Sequence, residues 1–275
     1  MVHTFNLKNK IILITGGYGY LGKAITESLL FHQATVYVLG RDEIKFVEAF
    51  NNNPFLSQLN FENCDVSNSD SISNAFKCVF EKEGKLDVII NNAFYSRGQS
   101  PEIMTDEEWE TGIDGTLNSV FKSIRNSIPY FKAANNGKII NVSSMYGLVA
   151  PQFEVYDDFP QFLNPPHYGA AKAGVIQLTK YYAAYLGKHN IQVNAVTPGP
   201  FPSEAVQKAT GFVQALESKT CLNRVGKPED LAQTDIIACQ VLEEMAKTAP
   251  AEIQQQIQDN IHWIKGAQEN KLVVG

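Results

Sequence analysis

Short apolar segments alternate with longer amphipathic segments along most of this chain. The apolar segments are rich in β-branched residues and predict strands at residues 10–15, 35–39, 60–64, 86–91, 138–143 and 191–196. The amphipathic segments predict helices that begin near Tyr20 and that span residues 69–81, 105–131 and 168–186. Strands that alternate with helices form parallel sheets with helices on both faces. The pattern therefore predicts a single α/β domain of three layers around a doubly wound parallel sheet, the Rossmann fold.

Two segments depart from this alternation. Residues 151–166 are aromatic, acidic and interrupted by prolines. A loop this long is often functional, although a surface insertion would explain it equally well. Residues 233–271 are helical in pattern and rich in glutamine, and residues 272–274 are a candidate last strand. We therefore divide the chain into a main domain, residues 1–232, and a helical C-terminal extension, residues 233–275, that packs on the core or, alternatively, forms a subunit contact or lid.

The composition restricts the partners of this protein. The chain has 275 residues, 44% of them apolar, and a net charge of −6 at pH 7 without a basic block. This charge argues against nucleic acid as a partner, and no apolar run is long enough to span a membrane. Four scattered cysteines and the lack of a recognisable secretory leader are typical of a cytoplasmic protein. The five histidines show no ligand spacing, so we expect no metal site.

A glycine-rich turn follows the first strand, with the sequence T-G-G-Y-G-Y-L-G at residues 15–22. Its glycines permit a tight turn, close approach of the backbone to a phosphate and close packing of the helix on the strand. The helix that follows offers free N–H groups and its positive dipole end to a pyrophosphate. A plain turn is the alternative, but the position between a strand and a helix indicates a dinucleotide site. The residues expected to bind the nucleotide here are Gly16, Tyr18, Gly19, Tyr20, Leu21 and Gly22.

The end of the second strand bears on the choice between NAD and NADP. An acidic residue at this place would bind the ribose of NAD, but Gly40 stands there and Arg41 follows it. An arginine suits the additional phosphate of NADP, although a solvated loop arginine is the alternative. Asp42 weakens the argument because it brings a negative charge beside Arg41. NADP is nevertheless favoured over NAD.

The third and fourth strands end in further candidates for cofactor binding. Asp65, followed by Val66, could accept a hydrogen bond from the adenine amino group or could cap a helix. Asn92 and Ala93 come directly after the fourth strand, beside the expected cofactor. An asparagine that only stabilises a turn is the alternative at this place.

Tyr168 and Lys172 lie four residues apart on one face of a predicted helix. A nearby cation favours the phenolate, so Tyr168 could exchange a proton closer to neutral pH than a free tyrosine does. Such a pair is an acid/base device for interconverting an alcohol and a carbonyl. A solvated helix face is the alternative.

Taken together, these segments resemble the short-chain dehydrogenase/reductase family. The motifs occur in the order of that family: T-G-G-Y-G-Y-L-G at 15–22, C-D-V at 64–66, N-N-A at 91–93, N-V-S-S at 141–144, Y-G-A-A-K at 168–172, N-A-V-T-P-G at 194–199 and R-V-G-K-P-E-D at 224–230. The resemblance covers residues 8–232. The chain is most similar to the ordinary single-domain branch, although its glycine spacing looks like that of the extended branch.

The resemblance implies roles for individual residues. It makes Tyr168 the general acid/base, Lys172 the group that lowers the pKa of Tyr168 and holds the nicotinamide ribose, and Ser144 the donor to the reacting oxygen. Pro198 and Gly199 would border the nicotinamide amide. Phe201 would lie nearby. Relatives commonly associate through their fourth and fifth helices, which implies a homodimer or homotetramer.

Two departures from the family pattern concern the catalytic residues. Ser144 and Tyr168 are 24 positions apart, wider than is usual in this branch. The excess is the 151–166 segment, and the two side chains converge if that segment loops out. The catalytic asparagine of the family has Thr116 at the matching position, where the hydroxyl or the backbone could hold a relay water.

We therefore expect an NAD(P)-dependent oxidoreductase that interconverts an alcohol and a carbonyl on a small polar substrate. Phe94, Tyr95, Met145, Tyr146 and residues 151–166 are expected to shape the substrate pocket, and their aromatic and polar character suits a polyol or sugar derivative. Two alternatives stay open. One is a non-catalytic dinucleotide-binding sensor or partner protein, and the other is a sugar-nucleotide epimerase or dehydratase, which the glycine spacing suggests.

Overall fold

The computed structural model describes residues 6–232. Its sheet has six parallel strands in the order β3-β2-β1-β4-β5-β6. The strands are β1 Ile11–Thr15, β2 Thr35–Gly40, β3 Leu59–Asn63, β4 Val88–Asn91, β5 Gly137–Val142 and β6 Ile191–Val196. This topology confirms the predicted doubly wound parallel sheet.

Helices cover both faces of the sheet, as three layers require. They are α1 Tyr20–Phe31, α2 Glu43–Phe50, α3 Ser69–Glu83, α4 Asp106–Ile113, α5 Ser119–Ala134, α6 Pro166–Leu186, α7 Glu204–Gln207 and α8 Thr210–Glu217. On one face Ile12 of β1 packs with Leu29 of α1. On the other face Leu13 packs with Ile124 of α5 and Val175 of α6. Because both faces of the central strands are buried, these strands appear in the sequence as continuous apolar runs.

The order of the strands reverses between β1 and β4. From β1 the chain proceeds to β2 and β3 on one side, and the crossover through α3 returns it to β4 on the other side. The connections that leave β1 and β4 diverge, which opens a crevice at their carboxyl ends. Thr15 fastens the two strand ends together, since its Oγ1 accepts hydrogen bonds from the backbone N–H groups of Asn92 (3.1 Å) and Ala93 (3.0 Å).

The helix predicted over residues 105–131 is interrupted in the structure. The α4 helix begins with a capping box formed by Thr105 and Glu108, a π-helical turn spans Asp114–Asn118, and α5 follows. The loop after β4 packs closely against this turn at Gly115. A Cβ at that position would lie 2.0 Å from the carbonyl oxygen of Tyr95, so there is no room for a side chain. Turns of this kind interrupt α-helices most often at functional sites. The contact is tertiary, so hydrophobic periodicity alone does not reveal it.

The 151–166 segment folds onto α8 instead of extending into solvent. It forms two short 3-10 turns, Phe153–Tyr156 and Pro160–Phe162. Their aromatic rings surround Phe212 of α8, with ring centroids 4.5 Å apart for Phe162 and 5.7 Å apart for Phe159. The segment and α8 therefore form a small hydrophobic cluster of their own.

Some predictions fall outside the described residues. These are the helical extension at 233–275 and its last strand at 272–274, so the division of the chain at residue 232 stays a prediction. Among residues 6–232, no helix has both the length and the apolar character that crossing a membrane requires.

Candidate active site

The carboxyl ends of β1, β4, β5 and β6 open into a cavity of about 700 Å³. This volume is within the usual range for small-molecule and cofactor sites. Most of the site residues predicted from the sequence line it: Gly16, Tyr18, Gly19, Tyr20, Leu21, Gly22, Arg41, Val66, Asn92, Ala93, Ser144, Tyr168, Lys172, Pro198, Gly199 and Phe201. Asp65 and Thr116 do not line the cavity.

The glycine turn is pressed against its neighbours so closely that side chains are excluded. Gly16 has a φ of +65°, which favours glycine. A Cβ on Gly22 would lie 2.2 Å from the carbonyl oxygen of Gly16 and 2.8 Å from Nδ2 of Asn92. That Nδ2 donates hydrogen bonds to the carbonyl oxygens of Thr15 (3.0 Å) and Gly16 (3.1 Å). The side chain of Asn92 therefore stabilises the glycine turn, which is the alternative role given for this asparagine in the sequence analysis.

The start of α1 can receive an anion. Gly19 is its N-cap residue, and no side chain caps the first turn. Gly19, Tyr20 and Leu21 line the cavity, so the free N–H groups and the positive dipole end of α1 lie at its wall. Together with the close-packed glycines, this arrangement fits the pyrophosphate of a dinucleotide.

The ring of Tyr18 lies over Gly40 at the end of β2. A Cβ on Gly40 would be only 2.4 Å from that ring, so a side chain at position 40 would require the ring to move. Arg41 is exposed and lines the same end of the cavity. Asp42 is engaged elsewhere, because its Oδ1 accepts the backbone N–H of Lys45 (3.0 Å) at the start of α2 and its Oδ2 lies 3.3 Å from Nζ of Lys45. The negative charge of Asp42, which weakened the argument that Arg41 favours NADP, is therefore paired with Lys45.

Asp65 is held in a turn beside the cavity. Its Oδ1 accepts the backbone N–H of Ser67 at 2.9 Å. Burial acts to raise the pKa of Asp65, but hydrogen bonds from Ser67 and the charges of Arg41 and Lys122 hold it below its ordinary value. The carboxylate is thus a turn-forming group in this structure, and its predicted contact with adenine stays a prediction.

Ser144 and Tyr168 converge despite the 24 positions between them. Ser144 follows β5, is 7% exposed, and its Oγ accepts the backbone N–H of Tyr146 at 3.2 Å. Tyr168 lies in the first turn of α6, which begins two residues earlier, at Pro166. Burial raises the pKa of Tyr168, while a hydrogen bond from Ser144 acts to lower it. The 151–166 segment loops away between the two residues, so it does not separate them.

Lys172 is buried one helical turn after Tyr168. Its Nζ donates a 2.7 Å hydrogen bond to the carbonyl oxygen of Val142 and lies 5.5 Å from the centre of the Tyr168 ring. Burial lowers the pKa of Lys172 to about 8. The sequence suggested that Lys172 would bring the pKa of Tyr168 toward neutrality, but the net shift of the phenol is upward. The reason is that desolvation of the phenol outweighs the stabilisation of its anion.

The end of β6 forms the cavity wall beside Ser144. The carbonyl oxygen of Pro198 accepts the backbone N–H of Met145 at 2.9 Å, which ties the P-G segment to the end of β5. Phe201 packs on Gly226, where a Cβ would lie 2.4 Å from the ring. The R-V-G-K-P-E-D motif at 224–230 therefore supports this wall of the cavity.

Thr116 lies in the π-helical turn and is 1% exposed. Its Oγ1 has no hydrogen-bond partner among the residues that the structure describes. Beside it, Asp114 accepts hydrogen bonds from the phenol of Tyr95 and from Nζ of Lys122 (2.8 Å). This network fastens the turn to the loop that carries Phe94.

Sequence reasoning missed several residues that shape the cavity. Phe212 lines it, and α7 reaches the glycine turn through a 2.8 Å hydrogen bond from Gln207 to the hydroxyl of Tyr20. Tyr156 also lines the cavity and belongs to the 151–166 segment that was predicted to shape the substrate pocket. The aromatic content of residues 151–166 was the only signal for Tyr156. Helices α7 and α8 are too short to give a clear periodic pattern.

Comparisons with known proteins agree with this geometry. The family model described as short chain dehydrogenase matches residues 10–212. A curated 3-oxoacyl-[acyl-carrier-protein] reductase, FabG of Thermotoga maritima, is 34% identical over 238 residues, 82% of this chain and 89% of the relative. An indene-carboxyl-CoA reductase of Mycobacterium tuberculosis is 28% identical over 83% of this chain and 85% of its own length.

A solved structure agrees as well. The crystal structure of gox2181 superimposes with a TM-score of 0.77 and 26% sequence identity over 86% of this chain and 90% of that one. The sequence motifs, the sheet order and the relatives lead to the same assignment. This chain belongs to the short-chain dehydrogenase/reductase family of NAD(P)-dependent oxidoreductases.

Proposed function

We propose that this protein is an NADP-dependent enzyme that reduces a carbonyl group on a small substrate to an alcohol. The observation that carries the proposal is that the buried Ser144 and Lys172 and the half-buried Tyr168 line one cavity that fits a dinucleotide. The tight glycine turn and the uncapped start of α1 support the choice of cofactor class.

In this mechanism Tyr168 is the general acid. Its raised pKa keeps the phenol protonated at neutral pH, so it donates a proton to the carbonyl oxygen of the substrate. Ser144 donates a hydrogen bond to the same oxygen as negative charge develops there. The ammonium group of Lys172 stabilises the phenolate that remains. When bound, the nicotinamide supplies the hydride.

The remaining predicted residues receive positioning roles in this proposal. Pro198, Gly199 and Phe201 would border the nicotinamide, and Asn92 and Ala93 would flank the cofactor beside β4.

At the adenosine end, Asp65 and Val66 would border the adenine. Thr116 would hold a relay water, since its buried hydroxyl has no partner among the described residues.

The preference for NADP rests on Arg41. We expect Arg41→Ala to lower the affinity for NADPH by about 10–100-fold and that for NADH by less than threefold, because a charge-assisted hydrogen bond to the additional phosphate is lost. The measurement is a fluorescence titration with both cofactors. Lys77→Ala is the control, because it removes an exposed cation on α3 that does not line the cavity. An equal loss for both cofactors in Arg41→Ala would contradict the NADP assignment.

The function itself is tested by following the oxidation of NADPH with a panel of ketones, aldehydes and ketoses. We expect turnover with at least one carbonyl compound and formation of the matching alcohol. Tight NADPH binding without turnover over the whole panel would favour the sensor or partner role. Conversion of a sugar nucleotide without net consumption of cofactor would favour the epimerase or dehydratase.

We also propose a homodimer or homotetramer in the cytoplasm. Exposed aromatic residues on α5 and α6, namely Phe121 (37% exposed), Tyr181 (60%) and Tyr185 (46%), support an interface on these helices. Analytical ultracentrifugation would contradict it by showing only a monomer, and cell fractionation tests the location.

A further inference from the structure

Two phenols form a rigid wall at the substrate end of the cavity. Tyr156, from the 151–166 segment, is 6% exposed and packs on Phe212 of α8 with ring centroids 5.8 Å apart. Phe212 in turn stacks on Phe162. Because these rings hold Tyr156 in place, its hydroxyl is a fixed feature of the cavity wall.

The hydroxyl of Tyr156 is paired with that of Tyr146. The two oxygens are 3.0 Å apart, and either group can be the donor. Each phenol carries one hydroxyl proton, and one of the two protons forms the hydrogen bond between the phenols. The other O–H group and the remaining lone pairs are available to a ligand. Both side chains line the cavity that contains Tyr168, and Tyr146 is close enough to influence the pKa of Tyr168. The pair can therefore donate to and accept from a ligand group near the reacting carbon.

Charge is scarce around this wall. Among residues 6–232, the cavity lining includes two charged side chains, Arg41 and Lys172, and no carboxylate. Arg41 follows β2 at the far end of the cavity, and Lys172 is bonded to Val142 within the reaction centre. Among the residues that line the cavity, no further cation is present at the substrate end to offset a carboxylate or a phosphate. Burying such a group without a partner is costly, so the cavity disfavours anionic substrates.

We propose that the substrate is an uncharged carbonyl compound with a hydroxyl group close to the carbonyl carbon, and that Tyr146 and Tyr156 form the subsite that binds this hydroxyl. The inference rests on the proposed carbonyl reductase function and specifies its substrate class. Neutral hydroxylated rings and polyols meet the description, since aromatic faces pack on their C–H groups while the phenols bond their hydroxyls. Substrates with a carboxylate or a phosphate beside the carbonyl do not meet it.

The test compares three ketones built on the same six-membered ring: 2-hydroxycyclohexanone, cyclohexanone and the anionic 3-oxocyclohexanecarboxylate. For the wild-type enzyme with NADPH, we expect kcat/KM to be highest for the hydroxyketone and lowest for the anion. Tyr156→Phe keeps the ring that packs on Phe212 and removes the hydroxyl. We expect it to lower kcat/KM for the hydroxyketone by about 3–10-fold, mainly through KM, and to change cyclohexanone by less than twofold.

Controls separate this subsite from general effects. Tyr146→Phe should reproduce the selective loss, since it removes the other half of the pair. Tyr130→Phe removes a phenol that packs on Phe80 outside the cavity and should leave all three values unchanged. An equal loss on the hydroxyketone and on cyclohexanone in Tyr156→Phe would overturn the subsite while leaving the carbonyl reductase function intact. A wild-type preference for the anionic ketone would also overturn the subsite and leave the carbonyl reductase function intact. Absence of turnover with every carbonyl compound would overturn both the subsite and the carbonyl reductase function.

Discussion

Tyr168→Phe is expected to lower kcat by about 10²–10⁴-fold, the usual contribution of general acid–base catalysis. The substitution removes the proton that the mechanism delivers to the substrate oxygen and leaves the ring that faces Phe94 in place. Binding of NADPH should change by less than about threefold, since Lys172 stays in position through its bond to Val142. Stopped-flow measurement of NADPH oxidation, together with a fluorescence titration of NADPH, separates the two effects.

The control for this prediction is Tyr130→Phe, which removes a phenol outside the cavity and should retain full activity. Undiminished turnover in Tyr168→Phe would contradict the assigned proton donor. A loss of NADPH binding equal to the loss of kcat would instead give Tyr168 a binding role.

Lys172→Met is expected to abolish turnover and, at the same time, to stabilise the folded protein. Burial lowers the pKa of Lys172 from 10.5 to about 8, so keeping it charged at pH 7 costs the folded state about 3 kcal/mol. Methionine removes this cost but also leaves the carbonyl oxygen of Val142 without its 2.7 Å donor, a loss of about 1–2 kcal/mol. We expect a net gain of about 1–2 kcal/mol in the free energy of unfolding, measured by urea denaturation at pH 7.

The pH dependence of the Lys172 variant gives a second readout with a definite sign. Between pH 8 and 10.5 the unfolded wild-type chain binds more protons at this lysine than the folded chain does. The contribution of Lys172 to wild-type stability therefore rises as the pH increases through this window. The advantage of Lys172→Met should shrink over the same range and become a disadvantage before its upper end, because the lost hydrogen bond to Val142 then outweighs the remaining cost of the charge.

Lys180→Met is the matched control for stability. It changes an exposed lysine farther along α6. We expect it to shift the free energy of unfolding by less than about 0.5 kcal/mol, both at pH 7 and between pH 8 and 10.5. A Lys172→Met variant that is less stable than the wild type at pH 7 would show that the bond to Val142 outweighs the cost of burying the charge.

The positions of the strands and of most candidate site residues could be predicted because they depend on local and periodic features. Strands buried on both faces appear as apolar runs, and a glycine turn between a strand and a helix indicates a candidate phosphate site. The π turn at Thr116 could not be predicted, since the neighbouring close approach of the Tyr95 carbonyl to Gly115 is a tertiary contact. The same holds for the pKa of Lys172, which depends on how deeply the folded chain buries it.

The 151–166 segment shows a different limit of sequence reasoning. Its aromatic composition indicated a role near the substrate, but its partner is α8, more than forty residues later. Neither segment has a pattern that specifies the other. Only the folded chain shows that Tyr156 and Phe212 meet and that Tyr146 completes the pair of phenols.

The ring of Tyr18 over Gly40 has a consequence for the evolution of coenzyme preference. An acidic residue at position 40 would be the simplest step toward NAD, but its Cβ would collide with that ring. The ring must therefore move aside or be replaced by a smaller side chain when the acid is introduced. The effects of substitutions at positions 18 and 40 on coenzyme preference are therefore expected to be epistatic.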